Sequence, residues 1–393
     1  MSCHPRVTEW TAIIHTRLPH LTKPQATVLA LWSLGMGWAR SCALTAVSTL
    51  LATWLHRKAD TVRQQLREGC SEATAKRGTA RQELVVETCF VPLLGWVVDQ
   101  WEGPQLARAL DATTLGTRFT VLALSVVYRG CAIPVAWTVL PATANHAWRR
   151  EWLRMLRQVR RAVPRSWTVI VLADRGLYAR WLLRRITRLG WHPFLRINTG
   201  GTLRPQGHVR AVPLKTLVPE PGTTWQGTGI AFKGRHRQLH CTLLARWEAG
   251  YNDPGLILTD LPPEASTAGW YGLRAWIEQG FKITKRAGWQ WQRTRMTRPD
   301  WNDYTHNRVL MMMNRPCAAR RRRYALRAEW HNLRVRLASI AECPHTLTGI
   351  TSQAPRIPGR PIAVAILASG LAIAPKPIDQ RTFFGDFCNA KAE

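Results

Sequence analysis

Four polar residues in the chain share a spacing that could support chemistry. They are separated by two, three and six residues and are Tyr271, Arg274, Glu278 and Lys285. In an α-helix, which turns about 100° per residue, they fall within one stripe about 60° wide. The opposite side is apolar and carries Leu273, Trp276, Ile277, Gly280 and Ile283. The pattern predicts an amphipathic helix. Taken alone, it is more typical of an ordinary solvated face with ion pairs at helical spacing.

Two aspartates are predicted to lie at the ends of neighbouring strands. Asp111 follows the short strand candidate Leu106–Leu110, and Asp174 follows the continuous apolar run Trp167–Ala173. With Glu278 they would form an oxygen-only site suited to Mg²⁺ or Mn²⁺. Two such ions about 3.5–4 Å apart can activate water or a 3′-hydroxyl and stabilise the leaving oxygen in phosphodiester displacement. The remaining candidate acids are predicted to be caps, turns or surface residues; they are Asp99, Glu151, Asp260 and Asp300.

The elements around these acids follow a recognisable order. The predicted strands and helices are Leu106–Leu110, Phe119–Tyr128, Ala132–Leu140, a helix His146–Val163 capped by Asn145, Trp167–Ala173, a helix from Tyr178 to Leu189, and Trp191–Ile197. Three antiparallel strands, a crossover helix, a buried strand, a helix and a further strand form the ribonuclease-H-like order. The predicted fold class is α/β, with a ribonuclease-H-like catalytic domain that holds a β-rich insertion and follows a small helical domain.

Changes in composition divide the chain into three predicted regions. Residues 1–100 form a helical domain for DNA binding or dimerisation, with Gly35 and Gly37 as breaks between helices. Residues 101–300 form the catalytic domain, interrupted by the β-rich insertion at about 198–254. Residues 301–393 form a basic C-terminal region.

The charge balance restricts the class of partner. Lys and Arg total 55 against 24 Asp and Glu, which gives a net charge of +31. Such an excess of one sign favours a polyanionic partner, first nucleic acid and second an anionic membrane surface. A generally arginine-rich proteome would explain arginine in place of lysine, but it would not explain the scarcity of acids. The basic residues are spread over several helices and loops, which makes a membrane-surface protein the weakest alternative.

Cysteine usage and hydropathy predict a cytoplasmic protein. Nine cysteines are scattered without a CxxC pair, so neither a zinc ribbon nor a dense disulfide framework is expected. No signal peptide is recognisable at the first residues. The apolar stretch Ala26–Leu55 is interrupted by Arg40, so no membrane span is expected.

The three acidic motifs together resemble those of a known family. The spacing from Tyr271 to Lys285 resembles the YREK signature of DDE transposases of bacterial insertion sequences. The strings ALDATTLG around Asp111 and VIVLADRGLY around Asp174 resemble that family's first and second acidic motifs. The β-rich insertion before the glutamate is also similar, and the resemblance extends over roughly residues 20 to 300.

The resemblance implies a transposition reaction in the bacterial cytoplasm, at the nucleoid. Asp111, Asp174 and Glu278 would hold two Mg²⁺ ions, which Mn²⁺ can replace. The enzyme would cut DNA at the terminal inverted repeats and join the 3′-hydroxyls to target DNA. Arg274 and Lys285 would contact phosphates, and Tyr271 would support the terminal strand.

Two further features are implied by the same resemblance. Such transposases usually act as homodimers on DNA. Members that form a DNA hairpin hold a flipped base with aromatic side chains; the candidates here are Trp225, Trp270 and Trp289. Among 20 tryptophans, core packing is the expectation for any single one.

The C-terminal region departs from the family pattern and leaves alternatives open. Arg315-Pro316 breaks the helix that should follow, and the run Arg320–Arg323 comes after it. This region is interpreted either as a basic tail that contacts DNA or as a diverged or frame-shifted end. A catalytically defective repressor derived from a transposase and a ribonuclease-H-like nuclease or resolvase therefore remain alternatives. A repressor would lack the metal-dependent cleavage of a transposase. A nuclease or resolvase would cleave DNA, and a strand-joining assay separates it from a transposase.

Overall fold

The computed structural model describes the N-terminal and central parts of the chain. The described residues are 5–39, 41–69, 71, 73, 76, 82–101, 103–128, 130–143, 148–232, 237–282 and 285. The predictions for residues 301–393, and those for Asn145, Trp289 and Asp300, lie outside the described residues.

Among the described residues, five α-helices precede the sheet. They are α1 (Pro5–Arg17), α2 (Lys23–Ala39), α3 (Leu44–Leu55), α4 (Ala59–Gly69) and α5 (Phe90–Asp99). The first four pack on one another in sequence order, and α5 packs against α1. A buried hydrogen bond links α2 to α4, in which the indole N–H of Trp32 donates to the carbonyl of Leu66 at 2.9 Å.

The prediction that Gly35 and Gly37 separate two helices is wrong, since α2 runs through both. The reason for glycine at position 35 is packing rather than termination. A Cβ on Gly35 would lie 2.8 Å from Cγ1 of Val47 and 3.0 Å from Cδ1 of Leu51, both on α3. Glycine at this position therefore allows α2 and α3 to approach each other closely.

The central sheet has the predicted order. Its first strands and helices are β1 (Gln105–Leu115), β2 (Phe119–Tyr128), β3 (Cys131–Pro141), α6 (Trp148–Val159), β4 (Thr168–Ala173), α7 (Arg180–Arg188) and β5 (His192–Arg196). The strands lie in the order β3-β2-β1-β4-β5, with β1 to β3 antiparallel and β1, β4 and β5 parallel. This arrangement confirms the predicted α/β fold class.

The insertion continues the same sheet. It contains β6 (Thr202–Pro205), β7 (Val212–Pro213), the single-turn helix α8 (Leu214–Leu217), β8 (Thr224–Ala231) and β9 (Leu239–Arg246). The next strand, β10 (Gly255–Thr259), pairs antiparallel with both β5 and β9. The described strands thus form one 10-stranded sheet that ends in β8-β6-β7.

Both faces of the central strands are covered. Along β4, Val169 and Val171 belong to the cluster that includes the N-terminal helices and α6 and α7. Ile170 and Leu172 belong to a second cluster under the C-terminal helix of the described region. This alternation follows from the two-residue period of a strand and explains why β4 is a continuous apolar run. In the described part of the chain, no helix is long and apolar enough to span a bilayer.

Candidate active site

Asp111 and Asp174 lie side by side at one edge of the parallel part of the sheet. Leu110 of β1 is in register with Ala173 of β4, so the two aspartates follow at the same level on adjacent strands. Asp174 directly follows β4, as predicted. Asp111 was expected at the end of its strand but lies within β1, which continues to Leu115 because it forms a hairpin with β2.

Glu278 reaches these aspartates from a helix on the sheet face. The amphipathic helix predicted for the Tyr271–Lys285 stripe begins in fact as a 3₁₀-helix, Ala268–Arg274, which is followed by α9 (Ala275–Lys282). The α9 helix packs on β3, β1 and β2. The 3₁₀ geometry brings residues three apart onto the same side, so Tyr271 and Arg274 still face the site.

Arg274 contacts all three carboxylates. Its Nη2 lies 2.9 Å from Oδ2 of Asp111 and 3.8 Å from Oδ2 of Asp174. Its Nη1 donates to Oε1 of Glu278. The Arg274 side chain is only 6% exposed, and those of Asp111, Asp174 and Glu278 are 16%, 12% and 18% exposed. The polar stripe is therefore buried against the sheet, which rules out the ordinary solvated helix face.

Burial sets the protonation of the site. Burial raises the pKa of Asp111 to about 6, although the Arg274 charge and a hydrogen bond from the Ala112 N–H favour its ionised form. Burial alone would lower the pKa of Arg274, but Asp111, Tyr271 and the other two carboxylates outweigh it and raise that pKa. The guanidinium thus stays charged, and it is the cation that compensates the acids in this conformation.

Tyr271 and Arg196 complete the surroundings of Asp174. The Tyr271 hydroxyl donates to Oδ1 of Asp174 at 3.4 Å, and burial raises the pKa of this phenol, so it remains a donor. The Arg196 guanidinium lies 6.0 Å from the centre of the Tyr271 ring. The sequence reasoning missed Arg196, although it ends β5 at the same edge of the sheet as Asp174. Lys285 is partly buried and lies three residues beyond the end of α9.

The other candidate acids that the structure describes pair with residues outside the site. Asp260 follows β10, which is antiparallel to β5, so it lies at the opposite edge of the sheet, 3.0 Å from Nδ1 of His192. Asp99 pairs with Arg17 at 2.6 Å and Glu151 with Arg154 at 2.8 Å. These contacts agree with the predicted cap and surface roles.

The candidate tryptophans that are described pack against apolar residues. Trp270 is buried, and its ring centre lies 5.7 Å from that of Phe194. Trp225 is partly buried against the main core.

The donor chemistry of the site suits a divalent cation, but its present spacing does not. Three buried carboxylates offer the hard oxygen ligands that Mg²⁺ and Mn²⁺ prefer. In this conformation no three His, Cys, Asp or Glu side chains among the described residues are spaced to hold a metal ion. The guanidinium of Arg274 already bonds to the same oxygens.

Comparisons with known proteins identify the family. A model described as the transposase DDE domain matches residues 102–305, slightly more than half of the chain. No curated protein matches the chain. Among solved structures, the chain is similar to a piggyBac transposase synaptic complex with hairpin DNA, at 11% identity and a TM-score of 0.41. This similarity covers 86% of this chain and 76% of that one. Because the family model spans more than half of its residues, the protein belongs to the family of transposases with a DDE domain.

Proposed function

We propose that this protein is the transposase of a bacterial insertion sequence, which cuts DNA at the element's ends and joins the freed 3′-hydroxyls to target DNA. The observation that carries the proposal is the meeting of Asp111, Asp174 and Glu278 around one buried guanidinium at a sheet edge. The YREK spacing and the family match support the same reaction.

In this proposal the three carboxylates hold Mg²⁺ or Mn²⁺. Bound there, a pair of divalent ions supplies an activated water or 3′-hydroxyl and stabilises the leaving oxygen. The two aspartates are positioned by β1 and the end of β4, and Glu278 is positioned by α9, which packs on β3, β1 and β2.

Arg274 would have two roles in the reaction. Without metal it neutralises the buried carboxylates, which otherwise repel one another. Its Nε is buried and has no hydrogen-bond partner among the described residues, so part of its bonding capacity is unused. With cations held by the carboxylates, the guanidinium would be available to contact a DNA phosphate, for which its forked geometry is suited.

Tyr271 and Lys285 would act beside Arg274. The protonated phenol of Tyr271 holds one oxygen of Asp174, which leaves the other oxygen, Oδ2, to face the site. Lys285 would add a phosphate contact on the same helical stripe. The net charge of +31 supports DNA as the partner for both cutting and joining.

The test is a strand-joining assay with linear DNA that carries the element's own ends, target plasmid and Mg²⁺ or Mn²⁺. We expect the wild-type protein to join ends to the target and Glu278→Gln to bind the same DNA without cutting or joining it. Cutting without joining would indicate a nuclease or resolvase instead. Tight binding without cutting by the wild-type protein would indicate a defective copy that acts as a repressor.

A further inference from the structure

A second cationic feature lies away from the carboxylates, between α6 and α7. The two helices enclose a groove of about 270 Å³ whose lining includes Leu153 and Trp181. Its walls carry six arginines, which are Arg149, Arg157, Arg180, Arg184, Arg185 and Arg188. Neither the acidic site nor the YREK stripe includes any of these residues.

The groove is connected to the candidate active site by the topology of the sheet. Strand β3 runs in the same direction as β1 and β4, so α6 and α7 both begin beyond the edge that carries Asp111 and Asp174. The apolar residues of α6 and α7 belong to the cluster on the face opposite to α9. The groove helices therefore cover the face of the sheet opposite to α9, and both begin near the edge that carries the carboxylates.

Three of the groove arginines have no carboxylate partner within the described structure. Helices α6 and α7 contain eight arginines and a single acid, Glu151, which pairs with Arg154 outside the groove. Among the described residues no carboxylate forms an ion pair with Arg157, Arg184 or Arg188.

The arginines are close enough to repel one another. Burial lowers the pKa of Arg185, and the like charges of Arg157 and Arg188 lower it further. The Nε of Arg185 is buried and has no hydrogen-bond partner in the described region. Such crowding costs free energy in the unbound protein, and a bound polyanion would remove that cost.

The groove also matches the dimensions of a phosphate backbone. A helix rises about 1.5 Å per residue, so α7 and α6, of 9 and 12 residues, are about 14 and 18 Å long. A groove of this length can contact a few successive phosphates of one DNA strand. Trp181 stabilises one wall, since the Arg149 guanidinium lies 5.5 Å from its ring centre.

We propose that the α6–α7 groove binds the phosphate backbone of duplex DNA next to the segment that is cut. This inference rests on the proposed function for the presence of DNA at the carboxylate edge. It adds a binding surface that contacts phosphates and not bases, so it contributes affinity and positioning without sequence preference.

The test compares two double variants of the full-length protein that lose the same charge. Arg157 and Arg188 are exposed on the groove, while Arg165 and Arg210 are exposed on loops outside it. Binding of a fluorescent duplex of arbitrary sequence is measured by anisotropy over a range of salt concentrations. Each lost phosphate contact reduces the slope of log K against log salt by about 1.

We expect R157Q/R188Q to bind more weakly and to lower the slope by about 2, while R165Q/R210Q retains the wild-type slope. An unchanged slope for R157Q/R188Q would overturn the proposal, as would an equal loss in both double variants. Cleavage of the element's ends by the wild-type protein is measured in parallel. If cleavage occurs and the slopes do not differ, the groove proposal fails while the proposed function stands.

Discussion

Arg274 contacts all three carboxylates, so its replacement leaves buried negative charges without a cation. We predict that Arg274→Gln lowers the free energy of unfolding by about 3 kcal/mol in metal-free buffer, as expected when one partner of a buried ion pair is lost. Mn²⁺ should restore much of this loss, because cations that bind only the folded state stabilise it. Urea unfolding with and without Mn²⁺ measures both effects.

The control for Arg274 is Arg154, which also pairs with carboxylates but lies nearer the surface, with its side chain 42% exposed. Arg154→Gln should lower the free energy of unfolding by less than about 1 kcal/mol, and Mn²⁺ should not change this loss. If Arg274→Gln behaves in the same way, Arg274 is not the cation that holds the site together.

Arg108 is a different kind of buried cation. It is fully buried on β1, and none of its three guanidinium nitrogens has a hydrogen-bond partner in the described structure. It stacks 4.4 Å from the centre of the Trp191 ring, and burial, aided by Arg160, lowers its pKa to about 9. We predict that Arg108→Met raises the free energy of unfolding by about 1–4 kcal/mol at neutral pH.

The pH dependence of this gain has a defined sign. The unfolded chain holds the Arg108 proton more tightly than the folded chain, so the wild-type protein gains stability as the pH rises above about 9. The difference in the free energy of unfolding between Arg108→Met and the wild-type protein should therefore become smaller above that pH, as measured by urea unfolding. Arg160→Met is the control, because Arg160 donates to the carbonyls of Val163 and Leu189 and its loss should destabilise the protein. Equal destabilisation by both variants would contradict this account.

The residue types and spacing predicted which carboxylates come together, but not their surroundings. A helical stripe does not reveal whether its polar side faces water, so the burial of Arg274 was not predictable. Asp260 ends an apolar run much as Asp174 does, and only the antiparallel direction of β10 places it at the far edge. The catalytic roles of Asp111, Asp174 and Glu278 stay a prediction.

At the scale of the elements, α2 provides a matched pair of glycines. A methyl group on Gly35 would press against Val47 and Leu51, whereas nothing lies within 4 Å of the corresponding position on Gly37. We predict that Gly35→Ala lowers the free energy of unfolding by about 1–3 kcal/mol and that Gly37→Ala raises it by about 0.5–1 kcal/mol. Thermal unfolding of the two variants measures the difference. Equal effects would show that α3 does not restrict position 35.

Local patterns predicted elements better than they predicted how elements meet. The amphipathic spacing of α6 and the apolar run of β4 were sufficient to place both. The 3₁₀-helix before α9 was missed, because Tyr271 and Arg274 share a face in either helical form. Pairing of β10 with both β5 and β9 was not predictable, since it depends on contacts between strands distant in sequence.

At the scale of the whole molecule, the arginines differ in whether carboxylates pair with them. Arg274 forms ion pairs with acids at the edge of the sheet. In the α6–α7 groove, by contrast, Arg157, Arg184 and Arg188 form no ion pair with a carboxylate among the described residues. Composition predicted a polyanionic partner, and we propose that the α6–α7 groove forms part of the surface that binds it.

The central claim is that Asp111, Asp174 and Glu278 form one metal-dependent site, and single-turnover cleavage of DNA carrying the element's ends tests it most directly. With Mn²⁺ and saturating protein, Asp111→Asn, Asp174→Asn and Glu278→Gln should each reduce the rate more than about 100-fold, because loss of even an outer-shell partner of a metal costs 10–100-fold. Asp260→Asn, at the opposite edge, should cleave at nearly the wild-type rate. Full activity in any of the three variants, or a comparable loss in Asp260→Asn, would contradict the claim.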